Sequence, residues 1–211
     1  MSITIILTGA ALILVGYLLG SIPFGYLYAR YKKIDITKVG SGNIGATNIY
    51  RQFGFKAALP VFLGDMLKGT LAVVISEYIV HAPEIVTILV CFAAILGHSK
   101  SVFIKFKGGK AVATGIGTIL ALSPMAALII FTIWLVIFAV SRIVSLASIV
   151  AAGAAIPVAY FLNLHMYYFG FITAAGLFVI YRHKDNIGRL LNGTEKPISR
   201  TKQPEEPKEE K

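Results

Sequence analysis

Gly97-His98-Ser99-Lys100-Ser101-Val102-Phe103-Ile104-Lys105-Phe106-Lys107-Gly108-Gly109-Lys110-Ala111-Val112-Ala113-Thr114-Gly115-Ile116-Gly117 is a basic, glycine-punctuated stretch set between two long apolar runs. Those flanking runs put it among hydrocarbon-facing helices. Gly108 and Gly109 remove two side chains where Lys105, Lys107 and Lys110 add charge, so backbone N–H groups and ammonium groups are able to converge on one small anion. Phosphate is the natural candidate. Gly-Gly-Lys followed by Ala is not a Walker A motif, because the spacing to a first glycine fails, and a nucleotide is disfavoured. Taken alone, the stretch reads equally well as a cytoplasmic loop whose lysines only obey the positive-inside rule.

Working outward, the 211 residues are 56% hydrophobic and only 14% charged, with a mean hydropathy of +0.76. An ordinary soluble domain carries about a quarter charged residues, so the composition predicts an all-α, polytopic membrane protein. The single Cys91 lies inside an apolar run, which excludes an intrachain disulfide and marks it as a small buried hydrophobe. The net charge of +10 is scattered among short loops, as membrane topology demands, so no nucleic-acid partner is expected.

Seven apolar runs predict a bundle of about seven spanning helices: residues 3–28, 57–80, 85–97, 111 to about 122, 125–140, 143–162 and 166–181. The first lacks a basic n-region and reads as a retained helix, with Ser21, Pro23 and Gly25 marking a kink near its end. Asp65 and Lys68, three apart on one face of the second, read as an internal ion pair in a structural role, with a functional role, which any ionisable pair inside a membrane suggests, as the alternative. The fourth and fifth are short for a span, which suggests that the fourth begins inside the glycine loop and that this loop lines a cavity. Residues 1–198 are expected to form one transmembrane domain, and 199–211 a polar, disordered tail.

With seven crossings, every Lys and Arg except Lys68 falls on one side. The positive-inside rule makes that side cytoplasmic, with the N-terminus outside and the C-terminus in the cytoplasm of a plasma (cell inner) membrane protein. The polar motifs share this side. A transporter needs polar residues near the midplane and on both faces, so the pattern favours an enzyme of the cytoplasmic leaflet over a carrier or flippase for an organic phosphate. A noncatalytic scaffold is the third reading.

The cytoplasmic set comprises Ser41, Asn43, Thr47, Asn48, Arg51, Gly108, Gly109, Lys110, Thr114, His183, Asn186 and Arg189, which suits an oxyanion-rich substrate. Ser145 and Ser148 open the sixth run, where capping is the commoner role and ligand binding the alternative. No histidine, cysteine or carboxylate pattern has metal-ligand spacing, and no Gly-x-Ser-x-Gly elbow occurs. His183 is the strong general-base candidate, although it reads equally as an interfacial histidine.

Three segments carry a resemblance: Ser41 to Gly54, Gly97 to Thr114, and His183-Lys184-Asp185-Asn186-Ile187-Gly188-Arg189-Leu190-Leu191 through Glu195. In order and with matching apolar spacers, they resemble the three motifs of the bacterial membrane acyl-phosphate:glycerol-3-phosphate acyltransferase family, and the likeness runs to about Ile198. Lys100 and Ser101 stand where the family often has an aromatic and a proline, and Ala111 where a third glycine is usual. The resemblance implies transfer of a fatty acyl group from acyl phosphate to the 1-hydroxyl of glycerol 3-phosphate, giving lysophosphatidate and phosphate, without a cofactor, beside membrane lipid. It implies catalytic roles for Ser41 and Arg51, glycerol-phosphate binding by the glycine loop, action of His183 and Asn186 near the reacting hydroxyl, and a structural Glu195. Two phosphates ask for two anion subsites, expected from Arg51 with Ser41, Thr47 and Asn48 and from Gly108, Gly109 and Lys110. Asn43, Thr114, Ser145 and Ser148 complete the expected substrate-binding set. No His is followed five positions later by Asp, so the motif of acyl-CoA-dependent glycerolipid acyltransferases is absent.

Overall fold

The computed structural model describes residues 3–199. In chain order the helices are α1 (Ile3–Ser21), α2 (Phe24–Tyr31), α3 (Ala46–Phe53), α4 (Phe55–Val74), α5 (Glu84–Ser99), α6 (Val112–Leu122), α7 (Pro124–Ser141), α8 (Val144–Phe161), α9 (Met166–Arg182) and α10 (Lys184–Leu191). A π-helical turn, Ile75–Ile79, prolongs α4, and 3-10 turns occupy Ile36–Lys38 and Val102–Ile104. Each of the seven apolar runs is therefore helical, while α3 and α10 arise within stretches that the sequence marks only as polar. The expected tail beyond Ser199 lies outside the described residues.

Among the described residues, four segments are long and apolar enough to cross a membrane: α1 with α2, α4 with its π turn, α7 and α8. Only 17% of the α7 window and 22% of the α1 window is buried, although these are the most apolar of the four. Apolar helices so exposed need lipid around them, and the chain is an all-helical membrane protein.

α1 packs on α5 and α4, α4 on α6, α6 on α7, α7 on α8, α8 on α9, and α9 returns to α5. Small residues bring the backbones together: a Cβ on Gly20 would lie 2.1 Å from the Ala94 carbonyl oxygen, and one on Gly117 2.0 Å from that of Met66. Such contacts supply dispersion where lipid removes the hydrophobic drive between helices. Val73, Cys91, Ile95, Phe171 and Ile172 form the heart of the core, so Cys91 is the small buried hydrophobe its position suggested.

The kink expected near Pro23 is a full break between α1 and α2. Ser21 O accepts the Ser101 hydroxyl at 2.5 Å, and Ile22 O accepts Lys68 Nζ at 2.7 Å. Neighbouring side chains thus satisfy carbonyls that an unbroken helix would have used. Lys68 and Asp65 form the expected ion pair at 2.8 Å, both buried.

Candidate functional site

The polar segments 40–51, 108–113 and 181–199 meet at one end of the bundle around a cavity of about 1020 Å³. Its wall is polar at that end and apolar deeper, where Phe62, Ile119, Ile130, Phe131, Trp134, Ala151, Ala155 and Ile172 line it. Of the residues expected at a site, Ser41, Asn43, Thr47, Asn48, Arg51, Gly108, Lys110, Ser145, Ser148, His183 and Asn186 line this one cavity, but Gly109 and Thr114 do not.

One wall is the Ser41–Arg51 segment, and Asn48 builds it. Its Oδ1 accepts the Ser41 N–H at 3.2 Å, and its Nδ2 donates to Val39 O at 3.1 Å and Asn43 O at 2.9 Å. The Asn43 Oδ1 accepts the Gly45 N–H at 2.9 Å and turns the chain into α3. Asn48 thus lines the cavity as expected but commits its amide to holding the loop, because a buried amide spends its bonds where it is packed. α3 then presents Thr47 and Arg51 to the cavity. Among the described residues no carboxylate lies within ion-pair distance of the Arg51 guanidinium.

The glycine turn forms the second wall. The Gly109 N–H is taken by His98 O at 3.0 Å, its C=O accepts Arg182 Nη2 at 3.0 Å, and a Cβ there would lie 2.1 Å from His98 Nε2. Gly109 is therefore a packing glycine, not the backbone donor expected from the sequence. Thr114 is likewise corrected: fully buried, it donates to Asp65 O at 2.9 Å and ties α6 to α4. What faces the cavity is Gly108, Lys110 and the first turn of α6 with Ala111, Val112 and Ala113. The early N–H groups of a helix lack intrahelical partners and carry its positive dipole end, so this turn suits an anion.

α9, α10 and the following segment form the third wall. His183 closes α9 and precedes α10, and its Nδ1 lies 2.8 Å from Val179 O, a carbonyl that only accepts. The proton is therefore on Nδ1, and Nε2 carries the lone pair. Burial, with the Lys110 charge, lowers the imidazole to about 4. Lys110 Nζ donates to Asn186 Oδ1, and Asn186 Nδ2 donates to Glu195 Oε1 at 2.6 Å. Glu195 also accepts Ser145 Oγ at 2.5 Å and Arg189 Nε at 2.5 Å. Burial raises the Glu195 carboxyl, but these three donors outweigh it and hold it below the usual range. Burial lowers Lys110 to about 8, against the pull of Glu195. Neither serine caps α8: Ser145 holds Glu195, and Ser148 donates to Val144 O at 2.8 Å while accepting Trp134 Nε1 at 3.1 Å.

The family model for glycerol-3-phosphate acyltransferase matches residues 10–193. This chain belongs to the glycerol-3-phosphate acyltransferase family. It is 44% identical to the glycerol-3-phosphate acyltransferase of Desulforamulus reducens, over 93% of this chain and 98% of the relative. It is 45% identical to that of Carboxydothermus hydrogenoformans, over 90% and 96%. A crystal structure of PlsY, an integral membrane glycerol 3-phosphate acyltransferase in its glycerol 3-phosphate form, superposes with a TM-score of 0.87 at 41% identity, covering 91% of this chain and 96% of that one. Its lysophosphatidic acid form gives 0.85 at 40%, covering 90% and 95%.

In this glycerol-3-phosphate acyltransferase family member the cavity is also lined by Arg182, His98 and Trp134, which the sequence did not single out, and by Asp65, which it marked first as an ion-pair partner. A signal for two of them was present, since Asp65 and His98 are ionisable residues inside or bordering apolar runs. Glu195, expected to be structural, is the acceptor on which Ser145, Asn186 and Arg189 converge.

Proposed function

We propose that this membrane enzyme moves a fatty acyl group from acyl phosphate to the 1-hydroxyl of glycerol 3-phosphate, at the cytoplasmic leaflet of the cell inner membrane. The observation that carries the reading is one cavity with cationic and helix-terminal groups at its polar end and an apolar deep end. Two phosphates suit the first and an acyl tail the second. Arg51, with Ser41 and Thr47, is the subsite for one phosphate. Lys110, Gly108 and the α6 N-terminus form the subsite for glycerol 3-phosphate.

In this mechanism the glycerol hydroxyl oxygen attacks the acyl carbonyl carbon, the new ester C–O bond forms, and the bond from that carbon to the phosphate oxygen breaks. Arg51 stabilises the departing phosphate. His183 Nε2 accepts a hydrogen bond from the hydroxyl and orients it, while Asn186 holds Lys110. A conjugate acid at about 4 makes His183 a weak base, whereas a phosphate monoester has its second ionisation near ~6. The proton therefore leaves on a substrate phosphate, and His183 is the positioning acceptor.

The same proposal gives the chain seven crossings, with the N-terminus outside and the C-terminus in the cytoplasm. α6 has 11 residues, roughly 16 Å at ~1.5 Å per residue, against a hydrocarbon core of ~30 Å. The glycine loop therefore dips into the bundle and completes that crossing with α6, which is acceptable because the loop lines a cavity. Residues 1–198 act as one unit in this reading.

Purified protein in detergent tests the reading. Lysophosphatidate and inorganic phosphate should appear in equal amounts from acyl phosphate and glycerol 3-phosphate, with acyl-CoA inert as donor. Product from acyl-CoA alone would replace the donor assignment, and no product from either donor would return the chain to the carrier reading.

A further inference from the structure

Three ionisable side chains lie buried beneath the glycine turn and have no part in the chemistry above. Lys68 Nζ is 2.8 Å from Asp65 Oδ1, and Asp65 Oδ1 faces His98 Nδ1 at 3.5 Å; all three side chains are at most 4% exposed. The last contact is too long for a good hydrogen bond, and His98 Nδ1 has no other polar partner among the described residues. Stability does not explain such a group. A buried ion pair is often no better than apolar residues of the same volume, because desolvation offsets the attraction.

The ends of this chain of contacts are informative. Lys68 donates to Ile22 O, the carbonyl freed where α1 breaks before Pro23. His98 touches the glycine turn twice: its carbonyl takes the Gly109 N–H at 3.0 Å, and its Nε2 occupies the space where a Gly109 side chain would be. The same helix break also holds the approach to the turn, since Ser101 donates to Ser21 O and Tyr17 to Lys100 O at 2.8 Å. Arg182 fixes the other side of Gly109 through its carbonyl. The turn that presents Gly108 and Lys110 to the cavity is thus set by the α1 break on one side and by the His98 ring from below.

We propose that Lys68, Asp65 and His98 form a positioning device that sets the height and orientation of the Gly108–Lys110 turn, and hence the affinity of its subsite for the phosphate of glycerol 3-phosphate. The proposal rests on the assignment of that turn to glycerol 3-phosphate. Asp65 packs against the His98 ring at 3.5 Å and limits where it can move, Lys68 neutralises Asp65 and reaches the end of α1 through Ile22 O, and His98 supports the turn. The bonds that make and break in the reaction lie elsewhere. Loss of the device should therefore appear in glycerol 3-phosphate binding before it appears in turnover.

Two sets of variants test this. The charge-neutral pair D65N/K68M leaves no unpaired buried charge, so it should remain folded, with a modest fall in melting temperature from the Ile22 carbonyl that loses its donor. Its KM for glycerol 3-phosphate should rise ~10-fold or more, with a matching loss in direct glycerol 3-phosphate binding, while kcat and the KM for acyl phosphate stay within ~3-fold. A folded D65N/K68M enzyme with wild-type glycerol 3-phosphate KM would overturn the proposal. The second set is a cycle at Gly109 and His98, which leaves the ion pair intact and decides the matter if the first variant does not fold. G109A should be severe, because its Cβ meets the ring, whereas G109A/H98A should return to the level of H98A alone. Independent, multiplying effects would overturn the proposal. K110A separates this inference from its premise: if K110A leaves the glycerol 3-phosphate KM unchanged, the assignment of the turn to that substrate has failed.

Discussion

Glu195 Oε1 accepts the Asn186 Nδ2 amide at 2.6 Å, and this bond orients the Asn186 oxygen toward Lys110. A residue in the segment after α10 therefore sets the position of a cation on the glycine turn, 85 positions away in sequence. The same carboxylate gathers Ser145 from α8 and Arg189 from α10, so it ties α8 and α10 together and, through Asn186, reaches the glycine turn.

Glu195→Ala should accordingly cost roughly 10- to 150-fold in kcat/KM, the equivalent of about 1.5–3 kcal/mol for one hydrogen bond to a charged group. Glu195→Gln should recover part of this, since its carbonyl still accepts from Asn186. Steady-state kinetics on both variants is the measurement. Wild-type activity in the alanine variant would reduce Glu195 to a tether for the C-terminal segment.

The fold was legible in outline because lipid imposes a composition that no soluble helix needs, and all seven apolar runs became helices. α3 and α10 were not, because each is a short amphipathic helix whose few apolar residues, such as Ile49 in α3, sit among polar ones. Their 3.6-residue spacing was the available signal. The site was legible as a list but not as a network. Asn48, Gly109 and Thr114 have the residue types of a phosphate site, yet each is spent on internal packing that depends on partners distant in sequence. Long-range pairs such as Ser145 with Glu195 leave no local trace.

Lys110 gives a pH prediction whose sign follows from its role. With its value lowered to about 8, the ammonium is present below that pH and lost above it. Phosphate monoesters become dianionic above ~6, so glycerol 3-phosphate should bind best between the two values. The kcat/KM for glycerol 3-phosphate should therefore fall as pH rises through about 8. Lys110→Arg should move that alkaline limb beyond the accessible range, because a guanidinium stays charged. An unchanged limb in the arginine variant would assign the titration to another group.

His183 gives the complementary limb. An ordinary histidine would produce an acidic limb near ~6.5, but an imidazole held at about 4 stays neutral across that region. No limb assignable to His183 should appear between pH 5 and 7, and His183→Ala should lower kcat about 100-fold with a smaller change in KM. A wild-type limb near 6.5 that disappears in His183→Ala would make the histidine the proton acceptor.

Arg51 faces the cavity without a carboxylate partner among the described residues, so its charge is available to a ligand. Arg51→Ala should depress kcat/KM strongly, and Arg51→Lys should restore it only in part, because an ammonium lacks the planar fork that matches two phosphate oxygens. Full activity in the lysine variant would leave Arg51 with diffuse charge as its only contribution.

The deep end of the cavity yields the last prediction. Along α8, Ser145, Ser148, Ala151, Ala152 and Ala155 line it, and the step from Ser145 to Ala155 is roughly 15 Å at ~1.5 Å per residue. Ala155 shares one buried apolar cluster with Ile119 and Ile130, which also line the cavity, so an acyl tail running along α8 from the polar end would reach this alanine. A phenylalanine there should exclude the terminal methylenes of a long donor. Each buried methylene is worth ~0.8 kcal/mol, so losing two costs about 1.6 kcal/mol, roughly 15-fold in selectivity. Ala155→Phe should therefore shift competition between acyl phosphates toward the shorter chain by about that factor, while Leu128→Phe, on an exposed face of α7, should not. Equal use of both chain lengths by Ala155→Phe would mean that the tail does not reach Ala155 and lies along Phe62, Phe131 and Trp134 in the same cavity instead.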